Sequence, residues 1–462
     1  MKKFLLPLIL LVAGCTTPHA HDPSAFAQAE AVTPAALAAR AEFLEDRYQN
    51  YAQVEGIIWQ RSRSDAALEN PDLYGSGGDS CIFTGHKLAA DVYRYRVTGS
   101  EADLDKALQS LRGLYLLTHA TGTDGVVQRC AFPATRQTEW RYPERWQHRI
   151  DNGFVNQGPA TPDPFNPGTT VPPMIYYTRG TKDQVTGLLH GLAVAERYLV
   201  AAETAHVTKV DLARNVIAQI TEDTYNHLRL HDFKIRDEKG ENDTNADSVA
   251  HLIKLQLLAL YRTTVSRSNP ARETRIKKKY DEEFRSAFFG LYQTLSDLFN
   301  RFNNFQQYYA WNLRYLRAYT VFILEDDNDR KEDIRSWVRS NLWPFVANHY
   351  NTKFTYLHNA ITGDNVKLDD ALLALKSLSL KSHRGYDSPL AGDERKPSFL
   401  QVLFGDVDRF ILLPHLRKPT TYTTWQKEPW DVGNPGRDGR EDTTGLDFML
   451  AYWMGKFHGF LP

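Results

Sequence analysis

Cysteine is scarce: the 462-residue chain has 3. They lie far apart at Cys15, Cys81 and Cys130, and no Cys-x-x-Cys pair argues for a zinc cage. Charge of one sign is missing too. Lys and Arg number 55 against 56 Asp and Glu, a net charge of -1, so no overall basic field exists to draw a nucleic acid. There is no glycine-rich phosphate loop and no Ser-His-Asp signature, so neither a nucleotide nor any other cofactor is expected. β-branched runs long enough for a large sheet are absent as well. What remains is an ordinary globular balance, 42% hydrophobic and 24% charged, unusually rich in rings: 9 Trp, 23 Tyr and 23 Phe.

The N-terminus reads as a processing signal. Lys2 and Lys3 precede an apolar stretch from Phe4 to Val12, and Ala13-Gly14 leads to Cys15. The stretch is too short to span a membrane. It resembles the lipobox of bacterial lipoproteins, which implies removal of residues 1–14 and lipidation of Cys15. Thr16 follows, where aspartate would favour inner-membrane retention. The expected location is therefore the outer membrane of a Gram-negative cell, held by the lipid alone, with residues 15–33 as a tether. The two remaining cysteines, Cys81 and Cys130, are candidates for a disulfide in that oxidising compartment.

From residue 34 onward the dominant hydrophobic period is 3.6. It predicts helices over 34–62, 79–97, 101–119, 183–202, 209–230, 247–264, 275–302, 305–324, 330–348, 368–381 and 444–457, with a twelfth over 398–413. Short hairpins are expected at 126–131 and 233–236. Those helices opening at Asp79, Asp183, Asp247 and Phe305 are apolar around most of their circumference; those between them carry a wide charged face. A helix apolar all round is buried, and one with a polar face lies outside. Inner and outer helices in alternation describe an all-α (α/α)6 toroid of six hairpins, residues 34–462, as one domain. A repeat solenoid is the rival, but no fixed period supports it.

Two stretches rhyme: GGDSCIFTGHKLAA at 77–90 and GTKDQVTGLLHGLA at 180–193. Each carries an aspartate, a Thr-Gly pair and a histidine seven residues after the aspartate: Asp79 with His86, Asp183 with His190. Positions i and i+7 share a helix face. Asp247 and His251 form a third such pair, four apart. The glycines weaken a helix, so they are expected where helices pack closely or a ligand nears the backbone. The plain alternative makes each aspartate a helix cap and each histidine a core residue.

The long segment 132–178 is expected to be a functional lid rather than a disordered loop. Arg136, Trp140, Arg141, Tyr142, Arg145, Trp146, His148 and Arg149 crowd its first part, with Arg129 before it and Arg179 after. Rings stack on sugars and guanidinium groups grip carboxylates or sulfates, so an anionic oligosaccharide or polysaccharide is the expected partner. Asp243, Asn245 and Asp247 alternate as calcium ligands do, but the glycine and distal glutamate of such a loop are missing; no metal is expected. Near the C-terminus, Asp442 and Thr443-Thr444-Gly445 open an aromatic helix, with Asp447, Trp453, Trp425 and Trp430 as further rim candidates.

This architecture resembles the six-hairpin glycosidase superfamily over residues 34–460. Its members include unsaturated glucuronyl hydrolases, N-acylglucosamine epimerases and toroidal polysaccharide lyases. In the hydrolases, aspartates at the starts of inner helices act as acid and base; the resemblance implies that role for Asp79 and Asp183. Paired carboxyl groups are what glycoside hydrolysis generally needs. Substrate contacts are expected from His86, His190, Arg129, Trp140, Arg141, Arg145, Trp146, Arg179, Asp247, Trp430 and Asp442. A lyase on the same scaffold would draw on Tyr308, Tyr309, Asn312, Arg314, Tyr315, His358 or Asn359. A non-catalytic glycan-binding or envelope-assembly lipoprotein is the third expectation.

Overall fold

The apolar periodicity becomes fourteen α-helices among the described residues of a computed structural model, and the chain is mostly helical. Those residues are 23–75, 77–152, 154–177, 180–241, 249, 251–267, 269–289, 308–384, 390, 410–417, 423–432 and 439–461. Cys15, Arg179, Asp243, Asn245, Asp247 and residues 398–409 of the helix expected over 398–413 lie outside them; residues 410–413 form no α-helix.

The helices are α1 (Pro23–Glu30), α2 (Pro34–Arg47), α3 (Ser80–Thr98), α4 (Glu101–His119), α5 (Pro143–Asp151), α6 (Lys182–Tyr198) and α7 (Val207–Leu230). Then come α8 (His251–Ser266), α9 (Pro270–Phe289), α10 (Tyr309–Leu324), α11 (Asn328–Asn341), α12 (Thr352–Thr362), α13 (Leu368–Ser379) and α14 (Leu446–Phe457). Their ends follow local chemistry. Gly99 and Gly363 stop α3 and α12 in the left-handed conformation that favours glycine. The Asn351 side chain caps α12 by accepting from the Phe354 amide at 3.3 Å. Pro344 follows α11 in a short 3-10 turn, which is why that helix does not reach residue 348.

Packing is ordered. α3 touches α4, α6 and α14; α6 touches α7, α8 and α10; α8 touches α9 and α10. α10 touches α11 and α12; α12 touches α13 and α14; and α14 also touches α2 and α13. No described helix is long and apolar enough to cross a membrane.

The rhyming stretches meet at their glycines. A Cβ on Gly85 would lie 1.9 Å from the Gly187 carbonyl oxygen, and one on Gly191 2.5 Å from that of Gly85. The glycines thus let α3 and α6 pack backbone to backbone, as expected of close packing. α2, α3 and α4 share a buried ionic cluster. Lys87 reaches Glu45 at 3.1 Å and also Asp91, which accepts from Ser110 at 2.7 Å.

Several expectations are corrected. The first helix does not run 34–62: it ends at Arg47, passes through a π turn at Tyr48–Ala52 and enters strands. β1 (Gln53–Val54) and β2 (Ile57–Ile58) form a hairpin around Glu55 and Gly56, both at positive φ. β3 (Arg61–Ser62) joins β4 (Leu73–Tyr74) and, across the chain, β10 (Glu441–Asp442). Residues 126–129 and 233–236 form no hairpin among the described residues. The strand instead begins at β5 (Ala131–Pro133), which pairs β9 (Met174–Tyr177), itself paired with β6 (Val155–Gln157). β7 (Thr161–Pro162) and β8 (Thr170–Val171) make a fourth small sheet. The described residues of the segment 132–178 therefore form small sheets around α5 rather than one long irregular loop. Its rings explain why: Trp140 and Trp146 stack at 4.5 Å and Phe132 meets Trp59 at 5.0 Å, all buried. Residues 23–30, read as tether, form α1, whose Ala25 and Ala29 pack with Leu413 and Leu416.

Candidate active site

Asp79 stands immediately before α3, yet its carboxylate makes no cap hydrogen bond. It turns outward to donors from three parts of the chain. Arg129 reaches Oδ1 at 3.2 Å, Gln184 Nε2 donates to Oδ1 at 3.4 Å and Gln426 Nε2 to Oδ2 at 3.4 Å. Arg129 is itself fixed by donating Nε–H to the Gly78 carbonyl at 2.7 Å. The cap reading fails for Asp79.

Asp183 is likewise not the cap of α6; Thr181 is, and Asp183 lies in the first turn. Asp79 and Asp183 line one cavity of about 280 Å³, together with Tyr309, Asn312, Trp425 and Gln426. Burial raises the Asp183 carboxyl above its ordinary range; the nearby Arg317 cation opposes this, and the Asp79 charge adds to it. The Tyr309 hydroxyl is raised by burial and by the charges of Asp183 and Asp79. The two aspartates, far apart in sequence, thus feel one another.

A second cavity, of about 380 Å³, shares Asp79, Phe83 and Gln426 with the first. Arg61, Arg141, Tyr142, Arg145, Glu441 and Asp442 line its far part. Asp79 therefore stands where two lobes of one cleft meet. Clefts of a few hundred cubic ångströms with few convergent polar groups are where small ligands bind.

Beneath the Asp183 lobe is a buried polar layer. Lys353 donates to His86 Nε2 at 2.8 Å and to Asn312 Oδ1, and its Nζ lies 3.8 Å from the Trp425 ring centre. Trp425 stacks on His86 at 5.1 Å. His86 Nδ1–H donates to the Ile82 carbonyl at 2.7 Å, so Nε2 is the acceptor. Burial drives both the His86 and the Lys353 pKa far down. Asn312 and Trp425 line the cavity, while Lys353 and His86 hold them from below.

The remaining expected residues divide. Arg129, Arg141, Arg145 and Asp442 reach the cleft or its carboxylates. Asp442 is buried and ion-paired to Arg47 and, at 3.0 Å, to Arg63. His86, His190, Trp140 and Trp146 line neither cavity: they are core. So are Tyr308, Arg314, Tyr315, His358 and Asn359, which leaves Tyr309 and Asn312 as the lyase candidates at the cleft. Burial moves the His190 pKa down to about 3, and its Nδ1 has no partner. Trp430 packs in a small cluster with Ile411 and does not line the cleft. Asp447 is buried and accepts from the Thr424 amide at 3.2 Å. Cys81 and Cys130 are buried free thiols, not a disulfide; Cys81 Sγ faces the Gln184 carbonyl at 3.7 Å. Among the described residues no group of three or more His, Cys, Asp or Glu could hold a metal.

Sequence reasoning missed Arg61, Gln184, Gln426 and Lys353. Gln184 directly follows Asp183 and Gln426 directly follows Trp425, which is the only signal either gave. Comparison of the chain with family models, with curated proteins and with solved structures finds no match.

Proposed function

We propose that this chain is an (α/α)6 toroid acting as a glycoside hydrolase on an acidic oligosaccharide, with Asp79 and Asp183 as its carboxyl pair. The toroid is supported by the order of contacts. α3, α6, α8, α10, α12 and α14 touch in succession and α14 touches α3 again, while α4, α7, α9, α11, α13 and α2 pack on them.

The observation that carries the hydrolase reading is that both carboxyl groups line one cavity while their surroundings differ. Asp183 is half-buried, and burial raises its carboxyl, which suits a proton donor. Asp79 accepts from Arg129, Gln184 and Gln426, which suits a carboxylate. Tyr309 gives the lobe an exposed ring, backed by the buried Trp425. The lipobox-like N-terminus supports an outer-membrane lipoprotein anchored at Cys15, with the cleft reaching sugars outside the inner membrane.

A lyase is the second reading, favoured by one observation: Tyr309 and Asn312 line the same lobe as Asp183. A tyrosine base and an amide beside a sugar carboxylate are what β-elimination needs. The experiment separates the readings. Protein from residue 22 onward is incubated with uronic-acid oligosaccharides, and both reducing ends and ultraviolet absorbance are followed. Hydrolysis yields reducing ends without absorbance, and D79N and D183N each lower kcat by about 10²–10⁴-fold. Absorbing products shift the reading to a lyase. Binding without turnover, unaltered in D79N and D183N, leaves a glycan-binding lipoprotein.

A further inference from the structure

We propose that the Arg61 lobe of the cleft is an oxyanion subsite, taking the carboxylate or sulfate of a sugar; this rests on the reading of the cleft as a sugar site. Arg61 is only 6% exposed. Its guanidinium lies 3.6 Å from the Tyr74 ring centre and donates to the Pro71 carbonyl at 3.0 Å. Its Nε is buried without a hydrogen-bond partner. β3 pairs Arg61 with Tyr74 on one side and Asp442 on the other, so the backbone beneath it is fixed.

The charges around the lobe do not cancel Arg61. Three carboxylates line it, and each already has an arginine: Asp79 has Arg129, Glu441 has Arg141 at 3.4 Å, and Asp442 has Arg47 and Arg63. Arg145 lines the lobe and lies 4.5 Å from the Tyr142 ring centre; neither it nor Arg61 forms an ion pair among the described residues. Glu139 also attracts Arg61, but it is ion-paired to Arg136 at 2.7 Å. A buried guanidinium without an ion-pair partner of its own is costly. An incoming oxyanion meets that cost with charge-assisted hydrogen bonds. Among the described residues the Asp183 lobe is lined by Lys427 but by no arginine, so the planar guanidinium fork is confined to the Arg61 lobe.

The test is calorimetric and uses D183N, whose change lies in the other lobe. The probes are a uronic-acid tetrasaccharide, a sulfated one and a neutral one. The expected result is tighter binding of one or both acidic probes, weakening as salt rises. R145A, at an exposed position, should weaken the acidic probe about tenfold and leave the neutral probe unchanged. R61K keeps the charge but loses the planar fork, and should also weaken it. Whichever acidic probe binds more tightly identifies the oxyanion. Equal affinity for acidic and neutral probes, or an acidic preference that survives both R145A and R61K, overturns the subsite. In the protein with Asp183 intact, turnover of neutral sugars alone would overturn it while leaving the hydrolase; acidic binding without turnover there would do the reverse.

Discussion

Lys353 Nζ lies 2.8 Å from His86 Nε2, and among the described residues no carboxylate shares their ion-pair or hydrogen-bond contacts. Burial lowers the pKa of this fully buried lysine, whose acceptors are neutral, and so favours the amine over the ammonium. The usual charge-conserving replacement is then the wrong one. Arginine cannot shed its proton, so Lys353→Arg forces an unpaired charge into the core. Lys353→Met leaves His86 Nε2 and Asn312 Oδ1 without a donor, a cost of about 1–3 kcal/mol for each orphaned group. Lys353→Arg should be the more destabilising of the two. Urea unfolding of both variants decides it, and a milder Lys353→Arg would mean that Lys353 is charged.

The same burial sets an acid limit. His86, His190 and His349 are buried, and all three have pKa values pushed below the ordinary histidine range, the last two to about 3. The unfolded chain binds their protons first as pH falls below about 6.5. Stability should therefore be unaffected by them above about pH 6.5 and fall below it. Each fully buried histidine contributes a loss of up to about 1.4 kcal/mol per pH unit. Asp183 and Asp91 act in the opposite sense, because their folded carboxyls are raised and bind protons before the unfolded chain does. Denaturant midpoints measured at about pH 7 and about pH 5, on either side of the histidine range, should show the net loss. A higher midpoint at the lower pH would reverse the assignment.

Gly85 tests the helix contact. An added Cβ meets the Gly187 carbonyl oxygen at 1.9 Å, backbone that cannot swing aside. Gly85→Ala should cost at least the roughly 1–3 kcal/mol typical of overpacking. Gly78→Ala, where a Cβ meets nothing within 4 Å, serves as the control. Equal melting temperatures for the two variants would show that α3 and α6 can separate freely.

Much of this was legible in the sequence. The 3.6 period found most helices because their buried faces are long, and the rhyme of 77–90 with 180–193 located Asp79 and Asp183, two of the carboxylates that line the cleft. The period failed where short β-branched stretches such as Val54 and Ile57–Ile58 pair across a turn, since two-residue strands carry no periodic signal. It also missed α12, whose residues Phe354 to Asn359 are buried on all sides. Histidine spacing misled for a physical reason: a shared helix face can point into the core, and His86 and His190 do. Arg61 gave no signal and Gln426 only its place beside Trp425, because what brings them to the cleft is tertiary: the pairing of β3 with β10 and the approach of Gln426 to Asp79.

Asp183 and Asp79 offer the most direct test of the cleft without any substrate. Burial raises the Asp183 carboxyl, Arg317 lowers it and Asp79 raises it. Removing the Asp79 charge should thus bring the Asp183 pKa down, and removing the Arg317 charge should send it up. Carboxyl ¹³C titration of D79N and R317M reads both shifts. Opposite movements of this sign show that the two carboxyl groups share one field, as acid and base in one cavity must. If D79N leaves the Asp183 titration where it was, the aspartates are electrostatically separate and cannot act as the pair proposed for them.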